Sequence, residues 1–533
     1  MILDRKIRIN AFMKLKSPAV FLLLFFGAGT ALAAEPLVEL ELLTAVQTTL
    51  LKEPGIAVKR QDLVYANALY QSAGSAFDTT LSLEADYSRS DTPLDRISKA
   101  SYEDIDSSIA DSRTLRLGLS KTFRQGLTLS PGMQITRSEN LLAGANDDIL
   151  MPPITNRATL NINFVQPLLR GAGAKAVAAY ERSAHYSAMG SKAEFEFLLS
   201  QKVLSTTQAF WSYYAAFERV GMLKKTERRA EQLTRETQIL IDAAEWPAAD
   251  IQQTKASLAQ KRKNRIRAEQ SLLASRHRLA MAMGLDFADF DDFGQASRRY
   301  PKIRMDTNNL LRKADKLADF ALKQRKDFRA KSFALKSAQI LALAAGKNRL
   351  PELNLTGSLG YSGIEEGAKA QKFGDALYTD IPGMNGSVNL VFNWPIENSF
   401  YDAAYLQARA QVEQNKITFR DAERQIRSEV KLAISEVVSS AAEVQAAEFS
   451  AKSFDIAVVN ENKKLKAGLS TLIDLIQMEN NAISARLSLI SALENYAGTL
   501  AHLRHQLGSL ILIDNQSGQV TWETLTTVPQ VEE

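Results

Sequence analysis

The sequence predicts an α+β chain built as two copies of one unit, a group of strands followed by a long helical hairpin. Three observations predict it. Several segments alternate apolar and polar residues with period two, as half-buried strands do. Others place apolar residues at spacings of three and four, as from Phe210 to Val220 and from Ile483 to Leu510, as packed helices do. Finally, Leu160-Asn161-Ile162-Asn163-Phe164-Val165-Gln166-Pro167 lines up with Val388-Asn389-Leu390-Val391-Phe392-Asn393-Trp394-Pro395, and each octapeptide leads into a long helical pattern.

The chain has 533 residues, 45% of them apolar, enough for a large folded body. Residues 1–33 read as a secretory signal peptide. Arg5, Lys6, Arg8, Lys14 and Lys16 form a basic start, Val20–Phe26 an apolar core, and Ala31-Leu32-Ala33 a small-residue cleavage site. The apolar run is too short to span a bilayer. Without that segment, which carries five basic residues and one acid, the formal charge falls from +5 to +1. The mature chain therefore offers no global case for nucleic-acid binding. No cysteine is present, which excludes disulfides, thiolate metal sites and cysteine nucleophiles. After residue 33 no apolar stretch reaches the ~20 residues of a membrane-spanning helix, so residence in a membrane would require a β-barrel.

Residues 36–75 read as two helices broken at Pro54-Gly55. Period two begins at Thr79, with Leu81, Leu83, Ala85 and Tyr87 on one face. It returns at Leu115, Leu117 and Leu119, again beyond Arg124-Gln125-Gly126 at Leu127 and Leu129, and at Leu160, Ile162 and Phe164. Such strands fit a barrel wall between lipid and water, and equally a soluble two-sided sheet. Gln166-Pro167-Leu168-Leu169-Arg170-Gly171 is the strand-to-helix junction. The first hairpin follows to Gly284. Its stripe runs through Phe210, Tyr213, Phe217 and Val220, and its tip lies at Glu245-Trp246-Pro247. One arm of the hairpin should be ~110 Å long at 1.5 Å per residue.

Residues 34–284 thus form a first repeat, with strands over about 79–166 and a hairpin over about 167–284. Residues 285–307 read as an irregular connection. Residues 308–513 form the second repeat, with strands over about 353–394 and a hairpin over about 396–513. In the return helix Ile483, Leu487, Ile490, Leu493, Leu500, Leu503, Leu507 and Leu510 hold a stripe. Residues 514–533 read as a polar tail. At the second tip a glycine suits the turn that ends a helix, and Ser470 or Thr471 can cap the next, with Asp474 in its first turn.

This order, the junction Gln166–Gly171 and the tip Gly468-Leu469-Ser470-Thr471-Leu472-Ile473-Asp474 resemble the TolC-like outer-membrane efflux family over about residues 36–513. The resemblance implies an internally duplicated TolC-like fold and a homotrimer. Its transmembrane β-barrel continues into a long periplasmic α-helical coiled-coil tunnel. It implies a passive duct of a tripartite efflux or type I secretion system, exporting small molecules or proteins. It also implies a location in the outer membrane, in contact with its lipid. The partners implied are a periplasmic adaptor protein and, through it, an inner-membrane pump or ABC exporter. By the same resemblance Gly468, Leu469, Ser470, Thr471 and Leu472 form the adaptor-docking tip. Asp474 lines the tunnel constriction, and Gln477 stands where a second acid is found in the best-known member. The first tip lacks the glycine turn, and the strand pair around Arg124-Gln125-Gly126 exceeds the two strands per repeat that the resemblance implies.

No cofactor, metal or catalytic constellation emerges. His502 and His505 share a helical face but would need further ligands, with only four histidines in the chain. They read as a solvated face. Gly171-Ala172-Gly173-Ala174-Lys175 lacks the Walker spacing and reads as a junction. Asp286, Asp289, Asp291 and Asp292 lack calcium-loop spacing and read as an acidic turn. Lys261-Arg262-Lys263-Asn264-Arg265 reads as a solvated basic face open to a partner. The competing function is a soluble periplasmic coiled-coil scaffold.

Overall fold

The computed structural model describes residues 38–528, apart from 102–104, 145–148, 151–153, 245, 287–292, 297–299, 304–306, 370, 377, 379–382 and 515–516. The segment 1–33 read as a signal peptide, together with Glu245, Asp289, Asp291 and Asp292, therefore lies outside the described residues. Two helices open the chain, α1 (Leu42–Lys52) and α2 (Pro54–Gly74), broken at Pro54 as the sequence suggests. Pro54 sits at the first position of α2, where its missing N–H costs nothing, and Glu53 caps the helix by accepting from the Ile56 N–H.

Strands β1 (Thr79–Pro93), β2 (Ile105–Thr122), β3 (Thr128–Gly144) and β4 (Thr155–Pro167) follow. The first long hairpin is α3 (Ala179–Asp242) and α4 (Asp250–Met283). The second unit consists of α5 (Ala314–Gln324), α6 (Lys326–Asn348), β5 (Glu352–Glu366), β6 (Gly383–Asn393), α7 (Ser399–Lys466) and α8 (Leu472–Gln506). The helical stretch before β5 is in three pieces, breaking at Lys313 and again at Arg325.

The six long strands form one open antiparallel sheet in the order β1-β2-β3-β4-β5-β6. Both repeats thus contribute to a single sheet, joined where β4 pairs with β5. The Arg124-Gln125-Gly126 turn joins β2 to β3 inside this sheet.

Helix lengths are unequal within each hairpin. The 64 residues of α3 span ~96 Å and the 68 of α7 ~102 Å. Their return helices have only 34 and 35 residues. Each long helix therefore packs on its return helix toward the tip and on α6 toward the sheet, with α2 also against α3. Both return helices end in a left-handed glycine, Gly284 (φ 72°) and Gly508 (φ 69°). In each case the next residue's N–H reaches back to the carbonyl five positions earlier, at Ala280 and Arg504. A Cβ on Gly284 would meet the backbone of Lys52 and Glu53 at 2.6 Å, and one on Gly508 the backbone of Gln324 and Arg325 at 3.0 Å. Glu53 and Arg325 are the extended breaks between α1 and α2 and between α5 and α6. The duplication is thus visible as one repeated contact, a helix-ending glycine against a helix break.

Two apolar clusters hold the helical layer. One gathers Leu40, Leu42, Phe210, Trp211, Leu279, Met283 and Leu510. The other gathers Leu317, Ile426, Val430, Ile434, Val437, Tyr496, Leu500, Leu503 and Leu507. Nearer the tip the α8 stripe changes hands. Ala482, Ala485 and Ala492 take the buried positions, while Ile483, Leu487, Ile490 and Leu493 stay half-buried. Alanines let the helices of one chain approach closely and leave the larger side chains on the flank.

Two expectations are corrected. Within 285–307, Phe293–Ala296 forms a parallel pair with Val38–Leu40, so the connection carries structure. Residues 517–528 are no free polar tail. Residues 517–519 pair with 512–514, and a short helix, Trp522–Thr526, docks Leu525 fully into the first cluster beside Leu510. The segment is too short to show a period, yet Thr521 caps its helix and Trp522 packs 6.3 Å from the Trp211 ring. Leu525→Ala should lower unfolding free energy by about 2–5 kcal/mol through the cavity it leaves. Thermal denaturation of the full chain measures it, and an unchanged midpoint would show that the segment does not stabilise the fold.

Candidate functional site at the hairpin tips

The second tip is built by local chemistry. The helix α7 ends in three lysines, Lys463, Lys464 and Lys466, which suit the negative end of a helix dipole. Gly468 turns left-handed (φ 71°), and the Leu469 N–H donates to the Lys464 carbonyl at 2.9 Å. Thr471 then starts α8 with a reciprocal cap. Its Oγ1 accepts from the Asp474 N–H at 3.3 Å, and Asp474 Oδ2 accepts from the Thr471 N–H at 3.2 Å and its hydroxyl at 2.6 Å. These bonds, first that from the Thr471 hydroxyl, hold the Asp474 carboxyl below its usual range, so it is charged at neutral pH. Ser470 donates to Glu461, whose carboxyl is lowered by that bond and by Lys464.

Asp474 and Gln477 are both exposed and lie three residues apart on one face of α8, with Gln477 donating to Asn481 at 3.3 Å. Leu469 projects into solvent, 79% exposed, and a Cβ at Gly468 would meet nothing within 4 Å. Leu472 differs from the others. It is buried, 4% exposed, and anchors the turn, so it cannot offer its side chain for docking. Glu461, Lys463 and Lys464 also belong to the tip and were missed by the sequence reading. Glu461 stands nine residues before Ser470, a distance that only the helical turn closes.

The first tip solves the same turn without glycine. Ala244 takes the left-handed conformation (φ 60°), a strained choice for a residue with a Cβ. The two tips stand side by side. A cavity of about 650 Å³ lies between them, lined by Leu233, Leu240 and Trp246 from the first and Val459, Leu465 and Leu475 from the second.

The basic run on α4 is only partly solvated. Lys261 is 4% exposed and donates to Asn480 of α8, with burial holding its ammonium pKa below the usual value. Burial likewise raises the neighbouring Glu479 carboxyl. Arg265 pairs with Glu227 of α3 and with Glu269. The run therefore ties hairpin to hairpin inside one chain.

The two histidines also part company. His502 sits 3.2 Å from Glu436, but His505 is buried between helices, its Nδ1 2.8 Å from the Ser200 hydroxyl and its ring 5.3 Å from that of Phe197. The solvated face expected for them is corrected at His505. Among the described residues no group of histidines and carboxylates could hold a metal ion. Burial first, then Arg325 and His502, push the His505 pKa down from 6.5 to about 4, against a small opposing pull from Asp327. The fold thus binds the neutral ring. Its contribution is complete above pH 6.5 and is lost as pH falls through that value toward about 4. His505→Gln should flatten that part of the stability profile. Melting temperatures of both proteins between pH 7 and 4 would refute it if their difference stayed constant.

An open amphipathic sheet continued by two helical hairpins of ~100 Å, duplicated within one chain, is also the fold of several solved outer membrane channels. Among solved structures, the CmeC outer membrane channel of Campylobacter jejuni is similar over 88% of this chain and 85% of its own, with a TM-score of 0.63 and 14% identity. VceC of Vibrio cholerae is similar over 88% of this chain and 96% of its own, at 0.60 and 14%. The MtrE channel of Neisseria gonorrhoeae in its open state is similar over 90% and 93%, at 0.57 and 15%. Residues 317–509 match the sequence profile of the family described as outer membrane efflux protein. No curated protein sequence matches significantly. The resemblance to the TolC-like outer membrane efflux family is therefore borne out, by sequence over residues 317–509 and by fold over most of the chain.

Proposed function

We propose that the chain is a passive outer-membrane export duct that works as a homotrimer. Strands from three copies close one barrel, and the six hairpins form a tunnel across the periplasm. The single observation that carries this reading is the open sheet. Among the described residues nothing pairs with the outer edge of either outermost strand, and the apolar side chains Leu83, Leu390 and Val388 are 72%, 63% and 73% exposed. An open edge cannot face lipid, because each unsatisfied amide there costs several kcal/mol. Closure with further copies removes it. The helices ask for the same neighbours, since Leu432, Phe449 and Ile456 of α7 are more than half exposed. Among the described residues no helix is long and apolar enough to cross a membrane, so the sheet would make the crossing.

At the far end the tips would meet a periplasmic adaptor, with Leu469 and the lysines Lys463, Lys464 and Lys466 as its contacts. An inner-membrane pump or ABC exporter behind the adaptor would supply the energy and most of the choice among small molecules or proteins. Where the tips converge, charged Asp474 would line the constriction. Gln477 leaves it with less negative charge than a double acid would. Widening would require the hairpins to move apart about Gly468.

The test is the oligomeric state of the detergent-extracted full chain, together with its conductance in a planar bilayer. A trimer with stable ion conductance is expected. A water-soluble species without conductance would favour the periplasmic scaffold instead. In the conducting trimer Asp474→Ala should raise the closed-state leak, because it removes both a charge at the constriction and the cap of α8. An unchanged single-channel conductance and leak would remove Asp474 from the gate.

A further inference from the structure

The sheet has one strand pair more than the two strands per repeat that the family resemblance implies. The hydrogen-bond register decides where this pair belongs. Residues directly opposite one another across antiparallel strands share a face of the sheet. Leu83 lies opposite Leu117, Leu117 opposite Met133, Met133 opposite Leu160, Leu160 opposite Tyr361, and Tyr361 opposite Met384. One apolar row therefore crosses all six strands without a break. The adjacent row on the other face runs Ser82, Gly118, Gly132, Asn161, Gly360 and Asn385, again across all six. A second polar row runs Glu84, Arg116, Gln134, Thr159 and Ser362.

A hairpin lying outside a barrel would have no reason to keep this match. A register slip of one residue would turn every side chain of β1 or β2 to the wrong medium. The apolar face also has the right height. From Leu353 to Tyr361 the strand rises ~26 Å, or ~20 Å across the membrane at a tilt near 40°. Above that level the same face turns charged, with Arg113, Arg137 and Glu365 in one row. At its lower end stand Phe392 and Trp394, 60% and 53% exposed, as in an interfacial aromatic girdle.

We infer that all six strands enter the barrel wall. Resting on the trimeric duct reading above, this means that three copies close an 18-stranded barrel, three times the six long strands of one sheet, the two-residue strand Ile149–Leu150 pairing with β3 alone. The occupant of each open edge is a second copy of this chain. β1 and β6 run in opposite directions, because every neighbouring pair between them is antiparallel. So β6 of one copy meets β1 of the next in antiparallel fashion, and the alternation continues around the ring. An all-antiparallel wall closes only with an even strand count, which three sheets of six satisfy. A barrel of that size encloses an aqueous channel rather than a packed core.

The absence of cysteine makes the test direct. Single substitutions Leu83→Cys and Leu117→Cys place a thiol on the apolar face of the two outermost strands of the first repeat. Leu160→Cys and Leu390→Cys place one on the corresponding face of β4 and β6, and Ser82→Cys and Thr159→Cys on the polar face. Each full-length variant is labelled in outer membranes with a membrane-impermeant maleimide and with a lipid-soluble one. In a six-strand wall Leu83→Cys and Leu117→Cys label with the impermeant reagent as slowly as Leu160→Cys and Leu390→Cys, and Ser82→Cys as fast as Thr159→Cys. Fast impermeant labelling of Leu83→Cys and Leu117→Cys, with Leu160→Cys still shielded, would overturn the six-strand wall and leave the duct standing. Fast labelling of all four would overturn the duct reading itself. Should a variant fail to insert, strand counting by electron cryomicroscopy of the unsubstituted trimer decides the same question, with 18 expected and any smaller number refuting it.

Discussion

Each long helix is about twice as long as the return helix that should cover it, and the rest of the helical layer follows from that mismatch. The uncovered half of α3 or α7 must find another partner, and the helices preceding the strands supply it. The return helix then has to stop where that second partner begins. Gly284 and Gly508 make this stop, each ending a helix with a left-handed turn and each seated against the backbone at a helix break. A side chain at either position would push the two helices apart. The arrangement lets a hairpin of unequal arms behave as a helical pair along its whole length.

At the tips, packing gives way to polar chemistry. Leu472 and Leu475 close the hairpin from inside, while Thr471, Asp474, Ser470 and Glu461 satisfy the free backbone and hydroxyl groups of the turn. The same carboxylate, Asp474, caps α8 and presents charge to solvent. Loosening the start of α8 and changing the charge of the tip are therefore coupled through one residue. The neighbouring tip, with Ala244 in a glycine-like conformation, stores strain instead of relieving it.

Much of the fold was legible in the sequence. Leu81 to Tyr87 and Leu160 to Phe164 announced strands, and the stripe from Leu500 to Leu510 announced a buried helix face that the structure indeed buries. The Arg124-Gln125-Gly126 turn was visible as a turn, because glycine is needed there at φ 103°. The buried state of His505 and Lys261 was not visible. Each sits in a run of polar residues, and its burial depends on which element crosses it, Ser200 of α3 in one case and Asn480 of α8 in the other. The docked segment around Leu525 was equally hidden, since five residues show no period.

The sequence by itself determined the local periods, the turns, the duplication and the charge of the tip, because these depend on residues within one or two helical turns or one hairpin. Only the tertiary structure decided how the periods share partners. The strand register was one such matter: a period-two segment states that it has two faces but not which neighbour's face it matches. The row from Leu83 to Met384 depends on pairings between residues as much as 201 positions apart, Leu160 with Tyr361, and no local pattern encodes a distance of that kind.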